Sequence, residues 1–509
     1  MREISSKIRI FLIVIGLGIG YLLAGVDMTA FNLALVWIQK DLTLSLSATD
    51  WVINSYFLTF AAFLVPAGRL GDIYGHKSLF LIGMTLFAIS AFMGGFADKG
   101  WQLIWARGMQ GIGGALFWPG IQAITMHFFS KEKVTKILGI ILGIGGIGFA
   151  GGPYFSGLIL QYFSWRYVFW MNVPIAFLSF IIILFSLPKE VRSSRSQRLD
   201  FVGLIFLGCF CFSLVYALDL GGRIGFNDRE VLGWFAATLG LIFLFVVRQD
   251  RADNPLIELP VMYSTKFFLG MLFRIAMSFT FFTILFFLGY ALQHIALMRP
   301  EVAGTYFLPF TVGFALLSVV GGFLGSRFNI KRVMYLGMYL MAIGSISLGA
   351  VIWFTLDLSY LFIPLSLAGL GLGLFLPNNS FFSVSSLPKT HWGLGTGIMY
   401  MTILIFAAVS IVVASIFMKS PGYYIVMKLI QSEKIALSEM KIELIESVMK
   451  GMRNIPEAMA EFGKDSKEIY AAIKQGFLQA MSFDLFFCGT FILIPMVIYQ
   501  LYTNRRVQK

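Results

Sequence analysis

The chain has 509 residues, of which 58% are hydrophobic, 16% aromatic and only 13% charged, with a mean hydropathy of +0.82. Soluble domains carry about 25% charged residues, so half that share over the whole length excludes a water-soluble globule, and the hydrophobicity excludes disorder. The formal charge of +13 does not point to nucleic acid, because the Lys and Arg sit in short segments between apolar runs. Cys209, Cys211 and Cys488 all lie inside apolar runs, which indicates neither a disulfide framework nor a zinc site.

A membrane-crossing helix takes about 20 mostly apolar residues. Fourteen runs bounded by charges meet that need, near 9–37, 51–67, 79–97, 101–127, 137–162, 166–187, 201–220, 231–248, 267–294, 303–325, 333–354, 358–387, 393–418 and 481–503. The first follows a basic start (Arg2, Lys7, Arg9), but its length and the lack of a small-residue cleavage site predict a retained helix. With the N-terminus in the cytoplasm, cytoplasmic segments carry 22 Lys and Arg against six in the short outer loops. That asymmetry predicts both ends inside and an even number of spans. The segment 419–480 differs: nine basic and eight acidic side chains alternate with regularly spaced apolar ones. It predicts amphipathic helices on the outer face, which cap the exit, contact a periplasmic adaptor protein, or lie on the membrane surface.

The chain also repeats itself. Gly68, Leu70, Gly71, Asp72 and Lys77 recur 254 residues later as Gly322, Leu324, Gly325, Ser326 and Lys331. Gly111, Gly113, Phe117 and Pro119 recur at an offset of 258 as Gly369, Gly371, Phe375 and Pro377. Two matches at nearly one offset predict an all-α polytopic membrane protein with duplicated six-helix halves, 1–187 and 267–509. The segment 188–266 then holds an inserted two-helix hairpin, giving 14 transmembrane helices. Internal duplication is a mark of secondary transporters, whose substrate site lies near the midplane between the halves.

Six stretches carry a closer resemblance. Span one has Gly25, Asp27, Thr29, Asn32 and Ala34; span two opens with Trp51, Asn54 and Tyr56. The next connection has Gly68, Gly71, Asp72, Gly75 and Lys77, with Ile73 and His76 at positions where the pattern has arginines. Span four has Arg107, Gln110, Gly111 and Gly113, and span five has Gly139, Gly148, Gly152, Pro153 and Gly157. Span six opens with Trp165, Arg166, Asn172 and Pro174. In order and spacing these resemble the major facilitator superfamily, and within it the fourteen-helix drug:proton antiporters of the EmrB/QacA type. The resemblance implies a major facilitator fold, a bacterial cytoplasmic (inner) membrane location, export by alternating access, and Arg107 tied to proton transfer.

The residues support such roles in their own right. An ionisable group inside a membrane costs at least a few kcal/mol, so it is a functional candidate by default. Asp27 lies about 30 Å along the helix from Lys7, toward the outer part of span one, and is read as the proton acceptor facing a cavity. Arg107, Gln110, Gly111 and Gly114 form one polar stripe on span four, with Arg107 either a partner to a carboxylate or a structural arginine. The span-five glycines strip side chains from one broad stripe and Pro153 invites a kink, which suits either a hinge or tight packing. Asp72 near a helix end is placed to pair with the positive end of another helix. Arg274 either snorkels to the interface or faces the cavity and favours an anionic substrate. Asn32, Tyr56, Gln110, Asn172, Asn378 and Asn379 complete the candidate cavity set.

The expected function is export of amphipathic small molecules or drugs in exchange for protons, by a monomer driven by the proton gradient, without cofactor or metal. The alternative is a dedicated exporter of one metabolite such as a siderophore. A membrane enzyme finds no metal motif among His76, His127, His294 and His391, no phosphate loop and no nucleophile elbow. A non-transporting sensor is the remaining class.

Overall fold

The computed structural model describes residues 6–188, 200–252, 255–256, 264–296, 298, 300–355, 358–433, 435, 438–449, 461–462, 466–498 and 500. These contain helices and no strand. In chain order they are α1 (Ser6–Asp41), α2 (Leu46–Tyr74), α3 (His76–Gly94), α4 (Gly100–Phe128) and α5 (Lys131–Tyr162), followed by α6 (Arg166–Trp170) and α7 (Asn172–Ser186). Then come α8 (Phe201–Ile224), α9 (Arg229–Arg251), α10 (Thr265–Tyr290), α11 (Pro300–Thr305), α12 (Leu308–Arg327) and α13 (Ile330–Thr355). The last are α14 (Phe362–Val384), α15 (Trp392–Phe417), α16 (Tyr423–Ser432), α17 (Glu439–Met449) and α18 (Ser466–Phe491). Among the described residues, twelve helical segments are both long and apolar enough to cross a membrane. Of the runs expected to span, α4 and α15 add two more of spanning length, at 29 and 26 residues.

Why these runs are helical, and why they belong in lipid, follows from one property. Their apolar residues surround the helix rather than forming one stripe, and large apolar side chains such as Phe92, Trp105, Tyr154, Phe243 and Phe354 stand exposed. In water such surfaces would drive aggregation; against acyl chains they are solvated.

Several boundaries differ from the sequence expectation. The Gly68–Asp72 stretch is not a connection: α2 continues to Tyr74, and Gly75 alone separates it from α3. Gly75 has φ of 100°, a left-handed conformation that glycine adopts without a Cβ clash, so one residue turns the chain. Likewise Gly322–Ser326 is the last stretch of α12. The sixth span is broken at Met171, which makes Asn172 the first residue of α7. The final span begins at Ser466 rather than 481, because buried Ile469, Ala472, Ile473, Gly476, Phe477 and Ala480 keep the helical spacing while Lys467 and Glu468 sit on the exposed side. A hydropathy average falls there although the apolar face does not. Of the 419–480 segment, the helices described are a π-helical turn ending at Gly422, α16, α17 and the first turns of α18, and residues 450–460 lie outside the described residues.

Two compact units result. Unit 1 comprises Met1–Arg274, Thr311–Gly337 and Leu372–Ile405; unit 2 comprises Ile275–Phe310, Met338–Gly371 and Phe406–Lys509. The division cuts across α10, α12, α13, α14 and α15, so it does not follow the chain division at 187 and 266. Within unit 1, α1 packs on α5 and α7, α4 on α2 and α3, and the α8–α9 hairpin on α2. Leu207, Cys211 and Phe245 of the hairpin join Ala61 and Val65 of α2 and Leu394 and Met401 of α15 in one apolar cluster. Within unit 2, α16 packs on α18, where Gly476 leaves room for Val426.

The glycines of α5 form two seams, not the single stripe expected. A Cβ on Gly145, Gly148 or Gly152 would strike Tyr21, Leu22 or Thr29 of α1. A Cβ on Gly139, Gly143 or Gly146 would strike Ser318, Ala315 or Phe314 of α12. Residues three, four or seven apart share a helix face, so each set lines one face, and the two faces lie on roughly opposite sides of α5 and meet different partners. Pro153 and Gly157 lie inside the same helix.

Candidate functional site

Three helices of unit 1, α1, α4 and α7, meet at one carboxylate. Asp27 on α1 is 2% exposed and Arg107 on α4 is 1% exposed. Arg107 Nη1 donates to Asp27 Oδ2 at 2.9 Å, and Asn172 Nδ2 at the start of α7 donates to Asp27 Oδ1 at 3.0 Å. Gln110 Nε2 reaches the same Oδ1 at 3.5 Å while its Oε1 accepts from Arg107 at 3.1 Å. The guanidinium lies between two aromatic faces, 4.3 Å from the Phe31 ring centre and 4.2 Å from that of Tyr56. A buried ion pair is tolerated only with such additional partners, because desolvating each charge costs several kcal/mol.

The outer, cavity-facing setting expected for Asp27 is not what surrounds it: the carboxylate is enclosed by Arg107, Gln110 and Asn172. Thr29, next on the same helix, turns away, donating to the Gly25 carbonyl at 2.9 Å and packing on Gly152. The side chain of Asn32 lies outside the described residues. Phe31, which forms one wall for the guanidinium, escaped the sequence reading because an apolar residue in an apolar helix carries no signal.

Arg274 does not snorkel. It is 1% exposed, its Nη2 donates to Ser380 Oγ of α14 at 2.8 Å, and its guanidinium stands 5.8 Å from the Tyr400 ring. An aromatic series connects this arginine with Arg107: Tyr56 stacks on Phe60 at 5.8 Å, Phe60 meets Trp118 at 5.7 Å, and Trp118 meets Tyr400 at 5.8 Å. Tyr21 joins the series 4.8 Å from Trp118. Asn378 and Asn379 are spent on packing instead. Asn378 Nδ2 donates to the Gly321 and Leu374 carbonyls at 2.9 and 2.7 Å, and Asn379 Nδ2 to the Gly270 carbonyl at 3.1 Å.

The repeated motif pins helix ends. Asp72 accepts from the backbone amides of Gly393 and Leu394, both at 2.8 Å, at the start of α15, where the amide dipoles favour a negative charge. His76 Nε2 lies 3.1 Å from the same carboxylate, so a ring nitrogen stands where the pattern has arginine. Lys77 Nζ donates to the Leu184 carbonyl at 2.9 Å and to that of Leu187, at the end of α7 where the dipole favours a cation. A Cβ on Gly68 would strike the Gly393 carbonyl, which makes this crossing a close backbone approach. Gly71 leaves room for the His76 ring in the same way.

The sequence reading missed a buried carboxylate in unit 2. Asp484 on α18 is fully buried in unit 2; its Oδ1 lies 3.8 Å from Cys488 Sγ, which in turn is 3.4 Å from Thr283 Oγ1. The signal was available, since Asp484 lies inside the last long apolar run of the sequence.

The family model described as Major Facilitator Superfamily matches residues 17–298. The chain belongs to the major facilitator superfamily. It is a membrane transporter rather than an enzyme. The chain is 31% identical over 328 residues to the tetracenomycin C resistance and export protein of Streptomyces glaucescens, covering 64% of this chain and 61% of that protein's length. It is 28% identical over 392 residues to the multidrug resistance protein Stp of Mycobacterium tuberculosis, covering 76% and 72%. It is 27% identical over 399 residues to the multidrug transporter protein MdtP of Bacillus subtilis, covering 78% and 73%. Among solved structures, the proton:xylose symporter XylE is similar in fold, with a TM-score of 0.59 at 13% identity over 96% of each chain.

Proposed function

We propose that this facilitator exports amphipathic small molecules, drugs among them, in exchange for protons, with Asp27 as the proton site. The observation that carries the reading is the buried Arg107–Asp27 pair at 2.9 Å. Protonating the carboxylate from outside removes the only charge that Arg107 faces in this cluster, and the guanidinium then costs too much to stay where it is. Its release toward other acceptors reorders α4 against α1, and loss of the proton to the inside restores the pair. Gln110 and Asn172 hold the carboxylate in place for both steps. The Asp72 contact with α15 belongs to one end state of the cycle, and the α5 seams to the sliding of α1 and α12. Relatives named for antibiotic export and multidrug resistance support the outward direction.

The proposed setting is a bacterial cytoplasmic membrane, with both ends inside, no cofactor beyond the proton gradient, and a monomeric transporter. The segment 419–480 would then face outward, where a periplasmic adaptor is one candidate partner. A second reading, export of one anionic metabolite such as a siderophore, is favoured by Arg274, a buried cation among Tyr21, Tyr400 and Ser380.

Inside-out vesicles holding a proton gradient test both. Cationic dyes should discharge the gradient with the wild-type chain and not with Asp27→Asn. Discharge by an iron-chelating polycarboxylate alone would replace the first reading by the second. Discharge by neither, or equal discharge by Asp27→Asn, would overturn proton-coupled export through Asp27.

A further inference from the structure

The duplicated motif is unequal in one residue, and the inequality leaves a basic cavity. In the first half, Gly68 approaches the Gly393 carbonyl and Asp72, four residues on, supplies a carboxylate to the first amides of α15. In the second half, Gly322 approaches the Thr135 carbonyl near the start of α5 in the same manner. The residue four positions on is Ser326, whose hydroxyl turns back to the Phe323 carbonyl at 2.8 Å. No carboxylate of α12 reaches α5.

A cavity of about 510 Å³ lies at this crossing, lined by residues of α5, α10, α12, α13 and α14, all within unit 1. Lys131, Lys266 and Lys331 stand on its wall, and Lys331 repeats Lys77 of the first half. The one carboxylate on the wall, Glu132, is bonded within its own turn by its own backbone amide and Ser130, and faces Lys131 as well. Thr135, 1% exposed, lines the cavity with a hydroxyl that has no hydrogen-bond partner. A wall rich in lysine, a buried hydroxyl without a partner and a helix start lacking its repeated carboxylate make a site suited to an anion. Phe328, 63% exposed, and Phe381 add an apolar wall beside it.

We propose that this cavity binds a phosphate group, whose oxygens occupy the place that the Asp72 carboxylate fills in the other half. The group comes either from a phospholipid headgroup of the adjoining leaflet, with the phenylalanines against its acyl chain, or from a soluble phosphate. The bound anion ties α12 to α5 as Asp72 ties α2 to α15, so occupancy stabilises that crossing.

The test uses the purified full-length chain in detergent, stripped of lipid, with phosphatidylglycerol, phosphatidylcholine and inorganic phosphate as probes. Melting temperature and native mass spectrometry are the readouts. Phosphatidylglycerol should raise the melting temperature and remain bound, at about tenfold lower concentration than for Lys131→Gln/Lys331→Gln. Ser326→Asp, which restores the missing carboxylate, should melt higher than wild type without lipid and lose the response; Ser326→Asn should keep it. A response to phosphatidylglycerol alone assigns the lipid source, and a response to inorganic phosphate as well assigns the soluble one. Equal responses in wild type, the double glutamine variant and Ser326→Asp, or no anion acting beyond phosphatidylcholine, would overturn the site.

Discussion

Asn172 and Arg107 grip opposite oxygens of the same carboxylate, at 3.0 and 2.9 Å, although they stand 65 residues apart on different helices. The pairing makes Asp27 a junction of α1, α4 and α7 rather than a group on an open wall. Replacing Asp27 by Asn keeps an acceptor but removes the charge. The expected result is loss of substrate-driven proton flux, with a stability loss of up to about 3 kcal/mol from the uncompensated guanidinium, read as a lower melting temperature. Asp27→Glu, which keeps the charge, should retain part of the flux.

Arg107 is held by planarity as well as charge, between Phe31 and Tyr56. Lysine has a compact ammonium that cannot stack on two rings and donate to Asp27 and Gln110 together. Arg107→Lys should therefore cost about 1–2 kcal/mol of stability and at least most of the transport. Transport at the wild-type level would show that a point charge suffices.

The Asp72 carboxylate caps α15 through two charged hydrogen bonds. Asp72→Ala should loosen that helix start by about 1–2 kcal/mol. Hydrogen exchange at the Gly393 and Leu394 amides is the direct reading, expected to quicken about tenfold, while exchange near Arg107 stays unchanged.

Gly148 admits the backbone of Leu22 at Cα and carbonyl carbon distances of 2.9 and 3.0 Å from where a Cβ would stand. Gly148→Ala should destabilise unit 1 by about 1–3 kcal/mol through overpacking against α1. Gly233, whose added Cβ would meet nothing, is the matched control and should tolerate alanine.

Asp41 tests the electrostatics outside the apolar spans. Its carboxylate accepts from Arg166 at 2.7 Å and from the Trp165 indole at 2.9 Å, and the Arg166 bond, then the Trp165 bond, hold its pKa below the ordinary carboxylate range. A depressed folded-state pKa gives stability that is present above the unfolded value of about 3.9 and is lost as pH falls below it. Since the side chain is half-exposed, the contribution is about 1 kcal/mol or less. Asp41→Asn should lower the melting temperature slightly at neutral pH, with the difference from wild type fading as pH falls through the depressed folded-state pKa.

Much of the candidate site could be read from the sequence, and the reasons divide cleanly. Arg107 and Gln110 share a face at a spacing of three, so their meeting follows from the helix period alone. That Asn172 joins them does not, because it depends on the break at Met171 and on α7 packing against α1. The two arginines looked alike in the sequence, each a lone cation in an apolar run. Only packing separates Arg107, paired with a carboxylate, from Arg274, set against Ser380 and Tyr400. Asn378 and Asn379 looked like cavity polar groups, yet α14 packs so closely on α10 and α12 that their amides meet backbone carbonyls.

By itself the sequence determined what the bilayer dictates: long apolar runs, the asymmetry of their flanking charges, the duplication, and the family motifs. These are local or additive properties, and each survives whatever the helices do next. The tertiary structure alone decided which faces meet. It split the α5 glycines between α1 and α12, carried the helical spacing of α18 past the end of its hydropathy, and brought Asp72 to the amides of α15. A helix fixes the angle between its own side chains, but not the neighbour each one finds, and long-range packing makes that choice.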